Sequence, residues 1–115
     1  MQTLTSQLER RVQFYECDPL QIVWHGNYLK YFEEGREAFC REHGLSYADA
    51  KENGYATPII KSSCEHKLPL QYGDVFIVET TFKPCEAAKM IFTYKLYLNK
   101  KLVSVGETIQ VFLGE

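Results

Sequence analysis

The stretch CDPLQIVWHGNYLKYFEEGREAF, residues 17–39, changes its pattern half-way and so decides the fold. From Tyr28 onward, Tyr28, Phe32, Gly35 and Phe39 fall at i, i+4, i+7 and i+11. That spacing is one stripe of an α-helix. The opposite face carries Glu33, Glu34, Arg36, Glu37, Arg41 and Glu42. Glu33–Arg36 and Glu37–Arg41 are spaced as helical ion pairs, worth about 0.2–0.5 kcal/mol each. With Asn27 as N-cap and Gly44 as C′ residue, the spacing predicts a helix from Tyr28 to His43, roughly 24 Å long. Gly35 costs about 1 kcal/mol inside such a helix relative to alanine, which makes sense where the helix crosses closely over a sheet.

Outward from this helix the period drops to two. Arg11 to Tyr15 alternates, with Val12 and Phe14 on one face, and reads as a short first strand that ends by Pro19. Ser46 caps a short helical segment stopped by Gly54. Strands then follow at Thr57–Leu68, Asp74–Lys83, Lys89–Asn99 and Leu102–Leu113, the last two joined at Asn99-Lys100-Lys101 as a hairpin. This order predicts an α+β fold, one long helix packed on an antiparallel sheet of about five strands. Val75 and Ile77 leave the second face of their strand partly apolar, and one helix cannot cover it all. A further subunit is the expected cover.

With 115 residues, 45% of them hydrophobic and sixteen of them aromatic, the chain reads as one domain, residues 1–115, with a core of its own. A net charge of −2 lacks the basic stripe of a nucleic-acid binder. No run approaches the ~20 apolar residues of a membrane span. The start, MQTLTSQLERRVQ, has no apolar signal region, so a cytoplasmic protein is expected. Cys17, Cys40, Cys64 and Cys85 form no Cys-x-x-Cys pair and are expected as reduced thiols.

Four constellations could carry chemistry. Cys17 with His25 could form a thiolate–imidazole pair, although no family signature surrounds Cys17. His25, His43, His66, Cys64 and Glu65 lack the i, i+3 or i+4 pairing of a metal site, and no metal is expected. His25-Gly26-Asn27 opens a helix, and helix N-termini bind anions, but no glycine-rich nucleotide motif is present. The fourth is a carboxylate, Asp18, ahead of the free N–H groups at residues 24 to 28. Those donors suit a carbonyl oxygen that turns anionic under attack, while the carboxylate could activate water or attack directly. Asp-Pro is equally a turn pair and Asn a cap, and spacing by itself leans towards turn and cap.

The segment Val12-Gln13-Phe14-Tyr15-Glu16-Cys17-Asp18-Pro19, with Ile22 to Glu33 after it, resembles the hotdog-fold acyl-CoA thioesterases, nearest to the 4-hydroxybenzoyl-CoA thioesterase and YbgC-like groups. Leu68-Pro69-Leu70-Gln71-Tyr72-Gly73-Asp74 looks like the same family's Pro-x-x-x-Gly-Asp entry to a strand, and the similarity runs from about residue 8 to 113. The resemblance implies a helix wrapped by a five-stranded sheet, homodimers with sites between subunits, often paired into homotetramers, and hydrolysis of a thioester of coenzyme A or acyl carrier protein without a cofactor. By position it makes Asp18 the catalytic base or nucleophile. The place of His25 holds His or Tyr in related enzymes, and its N–H polarises the carbonyl; in the YbgC-like branch its side chain also takes part.

One departure stands out. Related sequences commonly carry Gly where this chain has Gln21, which could narrow the pocket or offer an amide to water or carbonyl. Tyr15 and Trp24 are candidates to line an acyl or aryl pocket, and Lys61, Ser62 and Ser63, with His66, lie on a strand that borders the cleft in the family. Lys61, Lys67, Lys89, Lys95, Lys100 and Arg10 are the cations on offer to coenzyme A phosphates. Two other functions stay open: a non-catalytic acyl-CoA or acyl-carrier binding protein, and a hotdog dehydratase.

Overall fold

Branched and aromatic side chains that alternate with polar ones suit a half-buried pleated surface. The computed structural model describes residues 4–44, 55–56, 58–83, 89–111 and 113–114. In it the chain forms β1 (Leu4–Arg11), α1 (Tyr28–His43), β2 (Tyr55–Ala56), β3 (Ile59–His66), β4 (Val75–Lys83), β5 (Lys89–Leu98), β6 (Lys101–Val111) and β7 (Leu113–Gly114). Two short 3-10 turns, Phe14–Glu16 and His25–Asn27, lie between β1 and α1. Five strands make one antiparallel sheet in the order β1-β4-β5-β6-β3, while β2 and β7 pair separately. One helix on a five-stranded antiparallel sheet is the expected architecture. No helix among the described residues is long and apolar enough to cross a membrane.

The helix lies on one sheet face. Its Tyr31, Phe32 and Phe39 are fully buried against a sheet surface that includes Phe76, Val78, Phe92, Tyr94 and Leu96. Register places those side chains in rows: Leu8, Val78 and Leu96 stand opposite one another, as do Phe82 and Phe92. Two glycines bring the layers together. A Cβ at Gly35 would lie 2.5 Å from Val78 Cγ1 and 2.6 Å from Thr80 Oγ1, and one at Gly106 would collide with the Phe32 ring. Phe32 uses that gap to stack on Tyr94, centroids 4.8 Å apart and planes 9° from parallel.

Several boundaries differ from expectation. The first strand is Leu4–Arg11 rather than Arg11–Tyr15, paired residue by residue from Leu4↔Phe82 to Arg11↔Val75. It escapes a search for alternation because its inward positions, Leu4, Ser6, Leu8 and Arg10, are half polar. Val12 does bury, but the chain then turns, leaving Phe14 and Tyr15 exposed. The cause is local: Glu16 accepts the Gln13 N–H on its carboxylate and donates its own N–H to the Gln13 carbonyl, which closes a turn where a strand would continue. Arg36, expected on the solvated face with the other charges, is buried, 3.9 Å from Glu33 at its rim. Glu37 and Arg41 do pair, at 2.5 Å.

The hairpin loop is Asn99-Lys100, with φ of 50° and 69°, so Lys101 opens β6 instead of closing the turn. Both values match a two-residue loop whose twist suits the flanking strands. Gly44 ends α1 in the left-handed region as expected, its N–H bonded to the Cys40 carbonyl. β3 spans less than the expected Thr57–Leu68, and the helix expected between Ser46 and Gly54 lies outside the described residues, as do Thr57 and Cys85.

Gly35→Ala should test the crossing. Alanine is the better helix former by about 1 kcal/mol, yet overpacking a stiff valine costs roughly 1–3 kcal/mol. Denaturant unfolding is expected to show a net loss of about 1 kcal/mol; a gain would mean that the layers are not in contact there.

Candidate active site

Asp18 opens a turn held by its own side chain. Its Oδ1 accepts the Leu20 N–H at 2.8 Å, its carbonyl accepts the Gln21 N–H at 2.8 Å, and its N–H donates to the Ile22 carbonyl at 2.9 Å. Cys17 and Val23 pair across the base, Ile22 bridges to Gln71, and the Val23 N–H bonds the Leu70 carbonyl at 2.8 Å. The 71–74 turn is itself pinned by Asp74, whose Oδ2 accepts the Gln71 N–H. Asp18 is therefore fixed against the entry to β4. Its second carboxylate oxygen has no hydrogen-bond partner among the described residues, and the side chain borders a cavity of about 590 Å³ with Phe14, Cys17, Leu20, Gln21 and Tyr72. Turn former and available carboxylate are one residue.

Gln21 sits at φ 67°, a left-handed conformation. A side chain there costs roughly 1–2 kcal/mol, a backbone reason for the glycine that the family resemblance leads one to expect at this position.

At the other end of the segment, His25–Asn27 forms a 3-10 turn that runs into α1. Five successive N–H groups behave differently. Trp24 donates to the Glu16 carbonyl at 3.0 Å, Asn27 to the Trp24 carbonyl at 2.9 Å, and Tyr28 to the His25 carbonyl. The N–H groups of His25 and Gly26 have no partner among the described residues. Of the N–H groups at residues 24 to 28 expected to be free, those of His25 and Gly26 are unengaged among the described residues, while those of Trp24, Asn27 and Tyr28 are bonded. Asn27 does not cap the helix with its side chain; its Nδ2 donates to the Glu16 carbonyl at 2.9 Å. The Trp24 ring folds over Gly26 and lies 5.1 Å from the His25 imidazole.

Glu16, a residue the sequence reading passed over, joins the two ends. It is 1% exposed. Arg10 Nη2 donates to its carboxylate at 2.6 Å, Lys30 Nζ at 2.5 Å and the Gln13 N–H at 2.8 Å. Burial pushes this carboxyl up, but Lys30, the Gln13 N–H and Arg10 together hold it down at about 2. The only signal in the sequence was a Glu two residues before Asp18 in a segment read as a strand.

The other expected residues divide. His25 faces a separate cavity of about 260 Å³ with Ile22, Tyr28, His66, Lys67 and Pro69, and Asp18 is not part of its lining. Within one chain the side chains of Asp18 and His25 open on different spaces. Trp24 and Tyr15 line neither; Tyr15 is exposed under the Lys30 ammonium, 5.4 Å from the ring centre. Phe14 and Tyr72, in edge contact at 5.7 Å, are the aromatic wall beside Asp18 instead. Lys61, Ser62 and Ser63 are exposed on edge strand β3, and Ser63 faces a shallow space of about 600 Å³ that Asp18 and His25 do not border. Arg10 is committed to Glu16 and Glu34 and is not a free cation for phosphates; Lys67 pairs with Glu65.

Cysteine chemistry loses ground, since burial and then the Asp18 and Glu16 carboxylates push the Cys17 thiol up. Among the described residues no three His, Cys, Asp or Glu side chains gather as a metal site.

Residues 12–114 match the family model described as the thioesterase-like superfamily. A protein of Aquifex aeolicus provisionally named an esterase is 39% identical over 98 residues, 85% of this chain and 75% of its own. A protein of Bacillus subtilis provisionally named acyl-CoA thioesterase YneP is 33% identical over 92 residues, 80% and 67% of the two chains. The crystal structure of a hypothetical protein from Aquifex aeolicus superposes with a TM-score of 0.86 at 34% identity, over 93% of this chain and 87% of that one. The chain belongs to the thioesterase-like superfamily. It is an enzyme of the thioester hydrolase class with a hotdog fold.

Two measurements check this geometry. Gln21→Gly should raise stability by about 1 kcal/mol, because the left-handed penalty of a side chain is removed. Glu16 titrates at about 2 when folded against 4.5 for the free group, so its contribution is complete above about 4.5 and is lost as pH falls towards 2. The stability gap between wild type and Glu16→Gln should narrow over that window; a gap independent of pH would show that the ionised carboxylate is not what is held.

Proposed function

We propose that this chain hydrolyses acyl-CoA thioesters, with Asp18 as base or nucleophile and the N–H groups of His25 and Gly26 as the oxyanion site. One observation carries the reading. A single short segment presents a carboxylate with one unengaged oxygen at its start and two unengaged N–H donors at its end. The names of the curated relatives point to the same thioester chemistry.

As a base, Asp18 takes a proton from water while the water oxygen attacks the thioester carbon. The carbonyl oxygen gains the negative charge and accepts from the two N–H groups. Collapse then breaks the carbon–sulfur bond, and the departing thiolate takes the proton from Asp18. As a nucleophile, Asp18 attacks the thioester carbon and the carbon–sulfur bond breaks, releasing the thiolate, which takes a proton from solvent; water then opens the resulting mixed anhydride to free acid and the Asp18 carboxylate. Positioned acid–base catalysis contributes ~10²–10⁴-fold and each oxyanion donor ~10²–10³-fold. A second copy packed beside the cavities that Asp18 and His25 border completes the site in this reading. The unpaired edge of β3 and the exposed Ile59 and Ile60 beside it supply a surface for that copy. A homodimer, paired further into a homotetramer, acting in the cytoplasm, is the proposed form.

Thiol release from short, long and aromatic acyl-CoAs, and from an acyl carrier protein thioester, tests the activity. Enoyl-CoA hydration measured alongside separates a dehydratase, and binding without thiol release would leave an acyl-CoA carrier. Asp18→Asn is expected to lower turnover by ~10²–10⁴-fold with the oligomer intact by light scattering. Retention of most activity would remove Asp18 from the mechanism.

A further inference from the structure

We propose that Glu16 is the positioning residue of this site: its carboxylate, locked by Arg10 and Lys30, and its carbonyl, bonded to Trp24 and Asn27, set where the Asp18 turn stands relative to the His25–Gly26 donors. The proposal rests on the catalytic reading of Asp18 given above.

The residue grips four parts of the fold at once. Arg10 comes from β1 and carries its own second bond to Glu34 of α1, 2.7 Å away. Lys30 comes from the first turn of α1 and Gln13 from the turn after β1. These contacts fix the Glu16 side chain against both the sheet edge and the helix. Its carbonyl then receives the Trp24 N–H at 3.0 Å and the Asn27 amide at 2.9 Å, the residues on either side of His25 and Gly26. Asp18 follows two positions later, with only half-buried Cys17 between. Movement of Glu16 would carry both the carboxylate turn and the oxyanion donors. A buried carboxylate between two cations is also a poor choice for stability alone, because apolar packing of similar volume does as well or better. Geometry is the stronger reason for it. Glu16 itself borders neither the Asp18 nor the His25 cavity, so it acts through those groups and not on substrate.

Three variants test this on the full chain, with acyl-CoA thiol release as the readout. Glu16→Gln keeps the shape and removes the charge, Glu16→Asp keeps the charge, and Asn27→Ala removes one bond to the carbonyl. Misplacement of catalytic groups by about 1 Å costs up to ~10²-fold. Glu16→Gln is therefore expected to lower kcat by roughly 10–100-fold with KM little changed. Glu16→Asp should recover part of that loss, and Asn27→Ala should lose kcat in the same sense. In an Asp18→Asn background Glu16→Gln should cost little more, because the geometry it protects no longer serves a reacting carboxylate; a merely structural residue would lower both backgrounds alike. Wild-type kcat in folded Glu16→Gln, beside an inactive Asp18→Asn, overturns the proposal and leaves the Asp18 reading standing. An active Asp18→Asn removes that reading and this proposal with it. Should Glu16→Gln fail to fold, wild-type kcat in both Glu16→Asp and Asn27→Ala overturns it.

Discussion

The close crossing of α1 over the sheet is the constraint on which the rest depends. A sixteen-residue helix has one apolar stripe, and that stripe must meet the sheet closely enough to exclude water. Gly35 on the helix and Gly106 on β6 remove the two side chains that would hold the layers apart, and Phe32 enters the space left over Gly106. The helix is thereby held close against β4 and β6. Its N-terminus then has one possible place, beside the turn that leads into β4, and every group of the candidate site is built around that place.

The segment between Cys17 and Tyr28 orders its own backbone and in doing so leaves particular groups unengaged. Asp18 closes its own turn with one oxygen and leaves the other on the cavity. The helix start engages Trp24, Asn27 and Tyr28 in backbone bonds and leaves His25 and Gly26 free between them. A structural turn and the proposed catalytic loop do not exclude one another, since ordering the backbone is what aims the unengaged groups. Gln21 shows the cost of that order: a left-handed backbone carried by a residue with a side chain. Buried Glu16 serves the same end by tying the start of the segment to β1 and α1.

How much of this could be read beforehand depends on the range of the interaction. The helix, its glycine crossing and strands β4 to β6 follow from periodicity, because the solvent boundary prints itself on every second or every third and fourth residue. β1 was misplaced because an edge strand with a half-polar inward face leaves a weak print. Arg36 was assigned to water by its charge, whereas its helical position puts it at the rim of the core. Phe14 and Tyr72 were invisible as neighbours, since 58 residues separate them in sequence.

The sequence by itself determined the class of fold and the helix that anchors it, each set by local pattern. Tertiary structure alone decided which N–H groups are free, which oxygen of Asp18 is engaged, and that Asp18 and His25 face different cavities within one chain. It also decided that Arg10 is held by Glu16 and Glu34. The physical reason is the same each time: a donor, acceptor or charge is available only if nothing else in the folded chain has reached it first, and those competitors come from β1, the 71–74 turn and α1, far away in sequence.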